Sequence, residues 1–140
     1  MWFSKNQGLQ APPVQGTTKA AGDAAEALAL AHLRAAGLKL LHTNYRTPGR
    51  GGGEIDLVMA DKDGTLVFVE VRHRTSASHG GAGASISAVK QRRIVFAARH
   101  YLTRYRSLPP CRFDVVLING KLAVDNAPAI EWLRSAFDAS

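Results

Sequence analysis

The feature that most constrains the fold is the stretch GEIDLVMADKDGTLVFVEVRHR at residues 53–74. Two apolar runs flank a short polar turn, a pattern typical of two antiparallel strands. The composition of the turn favours a three-residue loop at 62–64, with Gly64 in the left-handed conformation. Counting back from this loop along both strands brings Asp56 directly opposite Glu70. The hairpin is therefore predicted to carry two acids at facing positions among apolar residues.

Two facing carboxylates limit the chemistry of this hairpin. Their Cβ atoms would lie about 4.5–5.5 Å apart, so the charges repel one another in a partly buried setting. The pair can share one proton, be neutralised by Arg72 on the same face, or bind a divalent cation such as Mg²⁺. Such a cation acidifies bound water and polarises a phosphoryl oxygen, as phosphodiester hydrolysis requires. An ordinary ion pair between Arg72 and one acid is the alternative.

Apolar periodicity and turn residues predict the elements in the rest of the chain. They are a helix from Thr17 or Thr18 to about Ala36, strands at 39–45, 54–60 and 65–74, a helix capped by Ser85 or Ser87 that runs to about Arg104, a strand RFDVVLI at 112–118, a hairpin turn at Asn119 and Gly120 leading into KLAVD, and a short final helix holding Ile130, Trp132, Leu133 and Phe137. This order predicts an α/β fold in which helices flank a mixed central β-sheet.

Length and composition predict one domain. A chain of 140 residues with ordinary apolar content can form a single core, which we assign to residues 19–140, after a loose N-terminal tail at 1–18. The single cysteine, Cys111, excludes an internal disulfide and favours a reducing compartment. No apolar run is long enough for a signal peptide or a membrane-spanning helix, so we expect a cytoplasmic protein without a membrane partner.

Positive charge is concentrated around the acidic hairpin. The chain has 18 Lys and Arg against 11 Asp and Glu, and its net charge of +7 favours a polyanionic partner such as nucleic acid. A basic surface that only aids solubility is the alternative. The residues expected to contact phosphates are Arg46, Arg50, Arg74 and Arg93. Such contacts would supply affinity and orientation without sequence preference.

A third acid, Glu26, lies on the first predicted helix. At 100° per residue it falls between Leu30 and Leu33, at the edge of the apolar face. If that face packs on the sheet, Glu26 can reach the face that carries Asp56 and Glu70. If it does not, Glu26 simply reaches solvent.

The motif Asp56…Glu70-Val71-Arg72 resembles the metal-binding signature of the PD-(D/E)XK nuclease superfamily, which has the restriction-endonuclease-like fold. The whole chain more closely resembles the YraN-like family of small bacterial proteins. The matching segments are GDAAEALALAHLRAAG, NYRTPGRGGGEIDLV, LVFVEVRHR, AVKQRRI, AARHYL, RFDVV and the terminal AF. The resemblance implies a core similar to archaeal Holliday-junction resolvases, with Glu26, Asp56 and Glu70 sharing a metal ion. The backbone carbonyl of Val71 is a further candidate ligand.

One position departs from the superfamily signature, which ends in lysine where this chain has Arg72. Arginine does not lose its proton in proteins and cannot act as a general base, although it can orient a phosphate and stabilise developing charge. Lys90 can supply the missing amine. A branch of the family that binds nucleic acid without cutting it is equally compatible with this change.

The expected function is therefore the hydrolysis of DNA phosphodiester bonds with Mg²⁺ or Mn²⁺, and branched or otherwise structured DNA is a candidate substrate. Catalysis would depend on Asp56, Glu70, Arg72 and Lys90. A non-catalytic nucleic-acid-binding module is the first alternative, and an assembly factor that acts through protein contacts is the second. Symmetric cutting of two strands would favour a homodimer.

Overall fold

The computed structural model describes residues 17–74, 86–120 and 128–139. Its elements in chain order are α1 (Thr17–Ala35), β1 (Lys39–Arg46), β2 (Glu54–Ala60), β3 (Leu66–Arg74), α2 (Ala88–Leu102), β4 (Cys111–Asn119) and β5 (Ala129–Phe137). Helix α1 begins at Thr17, one of the two predicted starting positions. Residues 1–16 of the predicted tail lie outside the described residues, as does the predicted strand KLAVD.

The strands form one five-stranded sheet in the order β1-β2-β3-β4-β5. Neighbouring strands are antiparallel except β3 and β4, which run parallel and are connected through α2. A parallel pair needs such a crossover, whereas antiparallel pairs can be joined by short turns. The predicted mixed α/β fold is confirmed, and the arrangement is consistent with a restriction-endonuclease-like core.

The two helices cover opposite faces of the sheet. Helix α1 contributes Ala25, Ala29 and Leu33 to a hydrophobic cluster on one face, which we call the α1-side cluster. Helix α2 contributes Ile94 and Ala97 to a cluster on the other face, the α2-side cluster. Adjacent residues of β3 alternate between these clusters, as side chains of a strand do. Both faces of the central strands are therefore buried, which explains their nearly continuous apolar runs.

The helix ends agree with the turn chemistry in the sequence. Helix α1 is followed by Gly37, whose φ of +101° is a conformation that favours glycine. The hydroxyl of Ser87 accepts the backbone N–H of Lys90 at 3.1 Å and caps α2. Of the two predicted caps, Ser87 is therefore the one that acts, and Ser85 lies outside the described residues.

The register of the central hairpin is confirmed. The Asp61 N–H donates to Thr65 O at 2.9 Å, and Gly64 has a φ of +90°, as the three-residue loop requires. The four Cα pairs that follow are Ala60↔Leu66, Met59↔Val67, Val58↔Phe68 and Leu57↔Val69. In this register the next two residues to face each other are Asp56 and Glu70. The length of the turn was therefore sufficient to predict which acids would meet.

The predicted final helix is wrong, because the segment forms strand β5. Residues of β5 pair antiparallel with β4 through Val115↔Leu133 and Val116↔Trp132. Trp132 packs against the α1-side cluster, whereas Leu133 and Phe137 pack against the α2-side cluster. A spacing of four between apolar residues fits both a helix and a strand, and pairing with β4 decides between them.

The tight turn predicted at Asn119 and Gly120 is also wrong in its length. Asn119 pairs with Ala129, so the connection between β4 and β5 spans residues 120–128. Gly120 does adopt a positive φ of +118°, and its N–H donates to the carbonyl of Arg74 at 2.8 Å. The glycine therefore continues a contact with β3 at the end of β4.

Candidate functional site

The side chain of Asp56 lies where β2 and β3 separate. Its Oδ2 accepts the backbone N–H of Val71 at 2.8 Å, a donor that a paired strand would otherwise use. Ile55 packs in the α2-side cluster and Leu57 in the α1-side cluster, so the alternation of side chains is interrupted at Asp56. Asn44, between the partners of these two residues on β1, has a φ of +50°, which asparagine tolerates better than most residues.

The side chain of Glu70 is buried beside Asp56, with only 6% of the residue exposed. The two carboxyl groups hydrogen-bond to each other, which requires one proton. Burial, and then the neighbouring charge of Asp56, raise the pKa of Glu70 to about 8. Burial also raises the pKa of Asp56, although hydrogen bonds from Val71 and Glu70 oppose the rise. Burial and mutual repulsion therefore favour a pair that shares one proton over a pair that carries two negative charges.

Lys90, in the first turn of α2, is the cation next to this pair. Its Nζ lies 3.4 Å from Glu70 Oε2, and it lowers the pKa values of both acids. Helix α2 reaches this position because Gly53 lets its backbone approach the start of β2. A Cβ atom at Gly53 would overlap the carbonyl oxygen of Arg93, so this position requires glycine.

Arg72 does not make the ion pair considered from the sequence. Its side chain is half-buried, and within the described part of the chain it forms no ion pair or hydrogen bond. Lys90 makes the contact with Glu70 instead. The structural alternative of an Arg72–carboxylate pair is therefore wrong among the described residues.

Glu26 lies near the acidic pair without joining it. The residue is half-buried, and burial, followed by the charge of Asp56, raises its pKa, while a hydrogen bond with Asn44 opposes the rise. Across residues 17–74, 86–120 and 128–139, no group of three or more His, Cys, Asp or Glu side chains is close enough to hold a metal ion. The structure thus brings together Asp56 and Glu70, whereas the third acid of the predicted trio remains bonded to β1.

A basic groove of about 370 Å³ adjoins Glu70 through Lys90. Arg46 and Thr47 line one side with the glycine loop at 49–53, and Lys90 and Arg93 line the other. Thr47 closes the neck of the loop: its Oγ1 accepts the Gly53 N–H at 2.8 Å, and its own N–H donates to Gly53 O at 3.1 Å. The groove is therefore lined by a closed loop and by three cationic side chains, with Glu54 as the one acid among its lining residues.

The four arginines predicted to contact phosphates are divided by the structure. Arg46 and Arg93 line the groove, although Arg46 also lies 3.6 Å from Glu54 in an exposed ion pair. Arg50 is exposed at the tip of the adjoining loop. Arg74 is the last residue of β3, and its Nε donates to Asn119 Oδ1 at 3.2 Å. It does not line the groove. Arg46 and Arg93 therefore have the geometry expected of groove residues, and Arg74 does not.

The comparison with known families gives one clear match. A family model described as Uncharacterised protein family UPF0102 matches residues 25–118. The chain belongs to this family. The match includes Asp56, Glu70 and Lys90 and is consistent with the resemblance to the YraN-like family.

Relatives named UPF0102 protein support this assignment. One from Polaromonas naphthalenivorans is 65% identical over the whole of both chains. One from Paracidovorax citrulli is 68% identical over 88% of this chain and 86% of its own. A third, from Cupriavidus pinatubonensis, is 52% identical over 91% of this chain and 92% of its own.

A buried acid of this UPF0102 chain was not predicted from its sequence. Asp114, on β4, is fully buried and accepts hydrogen bonds from Arg112 Nε at 3.1 Å, Trp132 Nε1 at 2.9 Å and the Ser135 N–H at 2.9 Å. Arg112 also donates to Asp61 at 3.0 Å. An acid inside the apolar run RFDVVLI was the available signal. Its donors mark Asp114 as a structural residue.

Neither described helix of this UPF0102 chain is long and apolar enough to span a membrane.

Proposed function

We propose that this UPF0102 chain is an endonuclease that hydrolyses phosphodiester bonds in DNA with Mg²⁺ or Mn²⁺, and that branched or otherwise structured DNA is among its substrates. The observation that carries the proposal is the buried pair Asp56 and Glu70, which is short of hydrogen-bond donors and contacts, through Glu70, the Lys90 that lines a basic groove. Acids with raised pKa values beside a cationic groove are typical of functional sites. The groove supplies the charge that a phosphate backbone needs.

The pair fits a hard divalent cation. Mg²⁺ is commonly held by one or two carboxylates, with water and substrate phosphate completing its shell. Asp56 and Glu70 would hold it, with Glu26 through water and the Val71 carbonyl as further candidate ligands. Because the pair shares a proton, binding of a cation would release that proton. The cation would supply Lewis-acid stabilisation of the phosphoryl group and an acidified water.

The cationic residues of the chain would hold the phosphate. Lys90 and Arg93 lie on one side of the groove and can donate to non-bridging phosphate oxygens. The side chain of Lys90 is 48% exposed, so it can move from Glu70 toward a phosphate without leaving the site. Arg72 follows Glu70 on the same face and can orient the phosphate and stabilise charge in the transition state. Arg72 cannot act as a general base.

A non-catalytic nucleic-acid-binding module is the second candidate function. Three observations favour it: Arg72 replaces the lysine of the signature, Lys90 already compensates Glu70, and Glu26 bonds with Asn44. The basic groove is required by both candidates. Metal-dependent cleavage therefore distinguishes them.

The setting of the protein is part of the same proposal. Cys111 is a free, exposed thiol, which suits the reducing cytoplasm. Cleavage of two strands at a symmetric branched substrate would favour a homodimer, because each subunit would then present its Asp56–Glu70 pair to one strand.

The decisive experiment compares cleavage by the wild type, Asp56→Asn and Glu70→Gln. Linear duplex, single-stranded and four-way-junction DNA are incubated with Mg²⁺ or Mn²⁺, and cleavage is quantified on denaturing gels. Asp63→Asn is the matched control, because it makes the same change at an exposed position of the same hairpin. We expect both site variants to lose more than about 100-fold in cleavage rate, since even outer-shell changes at metal sites cost 10- to 100-fold.

The control variant should cleave at the rate of the wild type. If the wild type cleaves no substrate with either metal, the catalytic proposal fails. Salt-sensitive DNA binding that persists in both site variants would then support the binding module.

A further inference from the structure

One side of α2 carries three cationic residues and a histidine, in a row that extends beyond the groove. At 100° per residue, Lys90, Arg93, His100 and Arg104 fall within about 80° of one another around the helix axis. The last turn continues past the end of α2, because the Arg104 N–H donates to Tyr101 O. The four residues therefore lie along one side of the helix, which we call the α2 row, with the buried Ala97 between Arg93 and His100.

Arg104, at the far end of the α2 row, is held in place by aromatic rings. Its guanidinium carbon lies 3.9 Å from the ring centroid of Tyr101 and 5.5 Å from that of Tyr45. Its Nε donates to the Tyr101 carbonyl at 3.1 Å. Arg104 is exposed, and no carboxylate of the described residues pairs with it. A positioned guanidinium without an acidic partner retains its charge and its terminal donors for an anionic ligand.

The β1 strand connects this end of the row to the groove. The Tyr45 hydroxyl hydrogen-bonds with His100 Nδ1, which fixes His100 against β1. The next residue along β1 is Arg46, which lines the groove. Lys90 and Arg93 therefore lie at the groove beside Arg46 of β1, and Arg104 is the cationic residue at the other end of the α2 row.

We propose that Arg104, positioned by Tyr45 and Tyr101, is a second phosphate-binding site for the DNA strand whose scissile phosphate lies at Asp56 and Glu70. The inference depends on the proposed nucleic-acid function and extends it. Fourteen residues separate Lys90 from Arg104, about 21 Å at the rise of an α-helix. A DNA strand places about six phosphates along that length of duplex. The contact is to the backbone, so it is independent of base sequence.

The test measures DNA binding in EDTA, where no metal-dependent cleavage occurs. Fluorescence anisotropy follows labelled DNA hairpins, whose duplex stems have four and twelve base pairs, over a series of salt concentrations. The variants are Arg104→Gln and Arg104→Lys. The matched control is Arg99→Gln, an exposed arginine of the same helix that lies about 140° from Arg104 around the axis.

We expect Arg104→Gln to bind the twelve-base-pair duplex about tenfold more weakly, because one charge-assisted contact is lost. The slope of log affinity against log salt should decrease by about 0.9. Arg104→Lys should retain the slope, and Arg99→Gln should change affinity less than twofold. Equal effects of Arg104→Gln and Arg99→Gln would overturn the inference.

A second measurement uses the wild type alone, so it does not depend on the folding of any variant. The four-base-pair duplex is too short to extend from Lys90 to Arg104, and the twelve-base-pair duplex is long enough. We expect a steeper salt dependence for the longer duplex; equal slopes would overturn the inference.

The failure of this inference is distinguishable from failure of the nuclease proposal. If Asp56→Asn abolishes cleavage while Arg104→Gln binds as the wild type does, only the second phosphate site is wrong. If Arg104→Gln weakens binding but no substrate is cleaved, the nuclease proposal is wrong, and Arg104 is a phosphate-binding site of a non-catalytic nucleic-acid-binding protein.

Discussion

Glu70 on β3 and Asp114 on β4 are both buried acids of the same sheet, and their surroundings differ. Asp114 on β4 is fully buried, and its carboxylate accepts a side-chain N–H from Arg112, another from Trp132 and the backbone N–H of Ser135. Glu70 on β3 is almost as buried, but its nearest cation, Lys90, is 3.4 Å away. Burial alone therefore does not distinguish a structural acid from a functional one.

The number of donors makes the distinction. Asp114 has a guanidinium, an indole and an amide directed at its two oxygens, which compensates the loss of water. Asp56 has one backbone donor, and it shares a proton with Glu70. Burial with so few hydrogen-bond donors raises the pKa values of both acids. A bound cation could therefore replace the proton of the pair. Three predictions test this comparison.

The largest change in the free energy of unfolding is expected at Asp114, whose carboxylate has a full set of hydrogen-bond donors. Asp114→Asn keeps the volume but removes the charge that compensates the guanidinium of Arg112, and its amide N–H₂ cannot accept from Trp132 or Ser135 as the carboxylate does. We expect the free energy of unfolding to decrease by about 3–5 kcal/mol, measured by urea denaturation. DNA binding per folded molecule should be unchanged. Asp63→Asn is the exposed control, and a loss below about 1 kcal/mol at Asp114 would contradict the comparison.

The opposite effect is expected at Glu70 in metal-free protein. Its pKa is about 8 in the folded state and near 4.5 in the unfolded chain. Between these values the folded protein holds a proton that the unfolded chain has lost, so stability decreases as pH rises from about 4.5 to 8. Glu70→Gln removes this dependence, and at pH 8 it should be about 1–3 kcal/mol more stable than the wild type.

Urea denaturation at pH 5 and pH 8, in EDTA, measures this difference. Glu131→Gln is the control, since it neutralises an exposed acid on β5. Parallel pH dependence in the wild type and Glu70→Gln would show that Glu70 is not under-compensated.

The smallest effect is expected at Lys90. Its charge lowers the pKa of Glu70, so Lys90→Met should raise that pKa above its wild-type value. Because the side chain of Lys90 is 48% exposed, the change should correspond to about 0.5–1 kcal/mol. Carboxyl ¹³C NMR titration of Glu70 measures it, with Lys19→Met as the control. An unchanged titration would separate Lys90 from the acidic pair.

The β2–β3 hairpin could be predicted from local sequence features alone. The turn at 62–64 determines the register as far as Leu57↔Val69, and the next positions in that register are Asp56 and Glu70. The cap at Ser87 and the glycine end of α1 follow from equally local chemistry. The final strand was not predictable in this way, because the spacing of Leu133 and Phe137 suits either element until β4 provides a partner.

The sequence by itself determined the mixed α/β class and the meeting of Asp56 with Glu70, because these depend on the pattern of apolar residues and on contacts between near neighbours in the chain. The family followed from the resemblance of whole segments. Only the tertiary structure decided that Lys90, and not Arg72, compensates Glu70, and that Asp114 is satisfied by Trp132. These contacts join residues far apart in the chain or on different elements. Their distances depend on how α2 and β5 pack on the sheet, which no local pattern specifies.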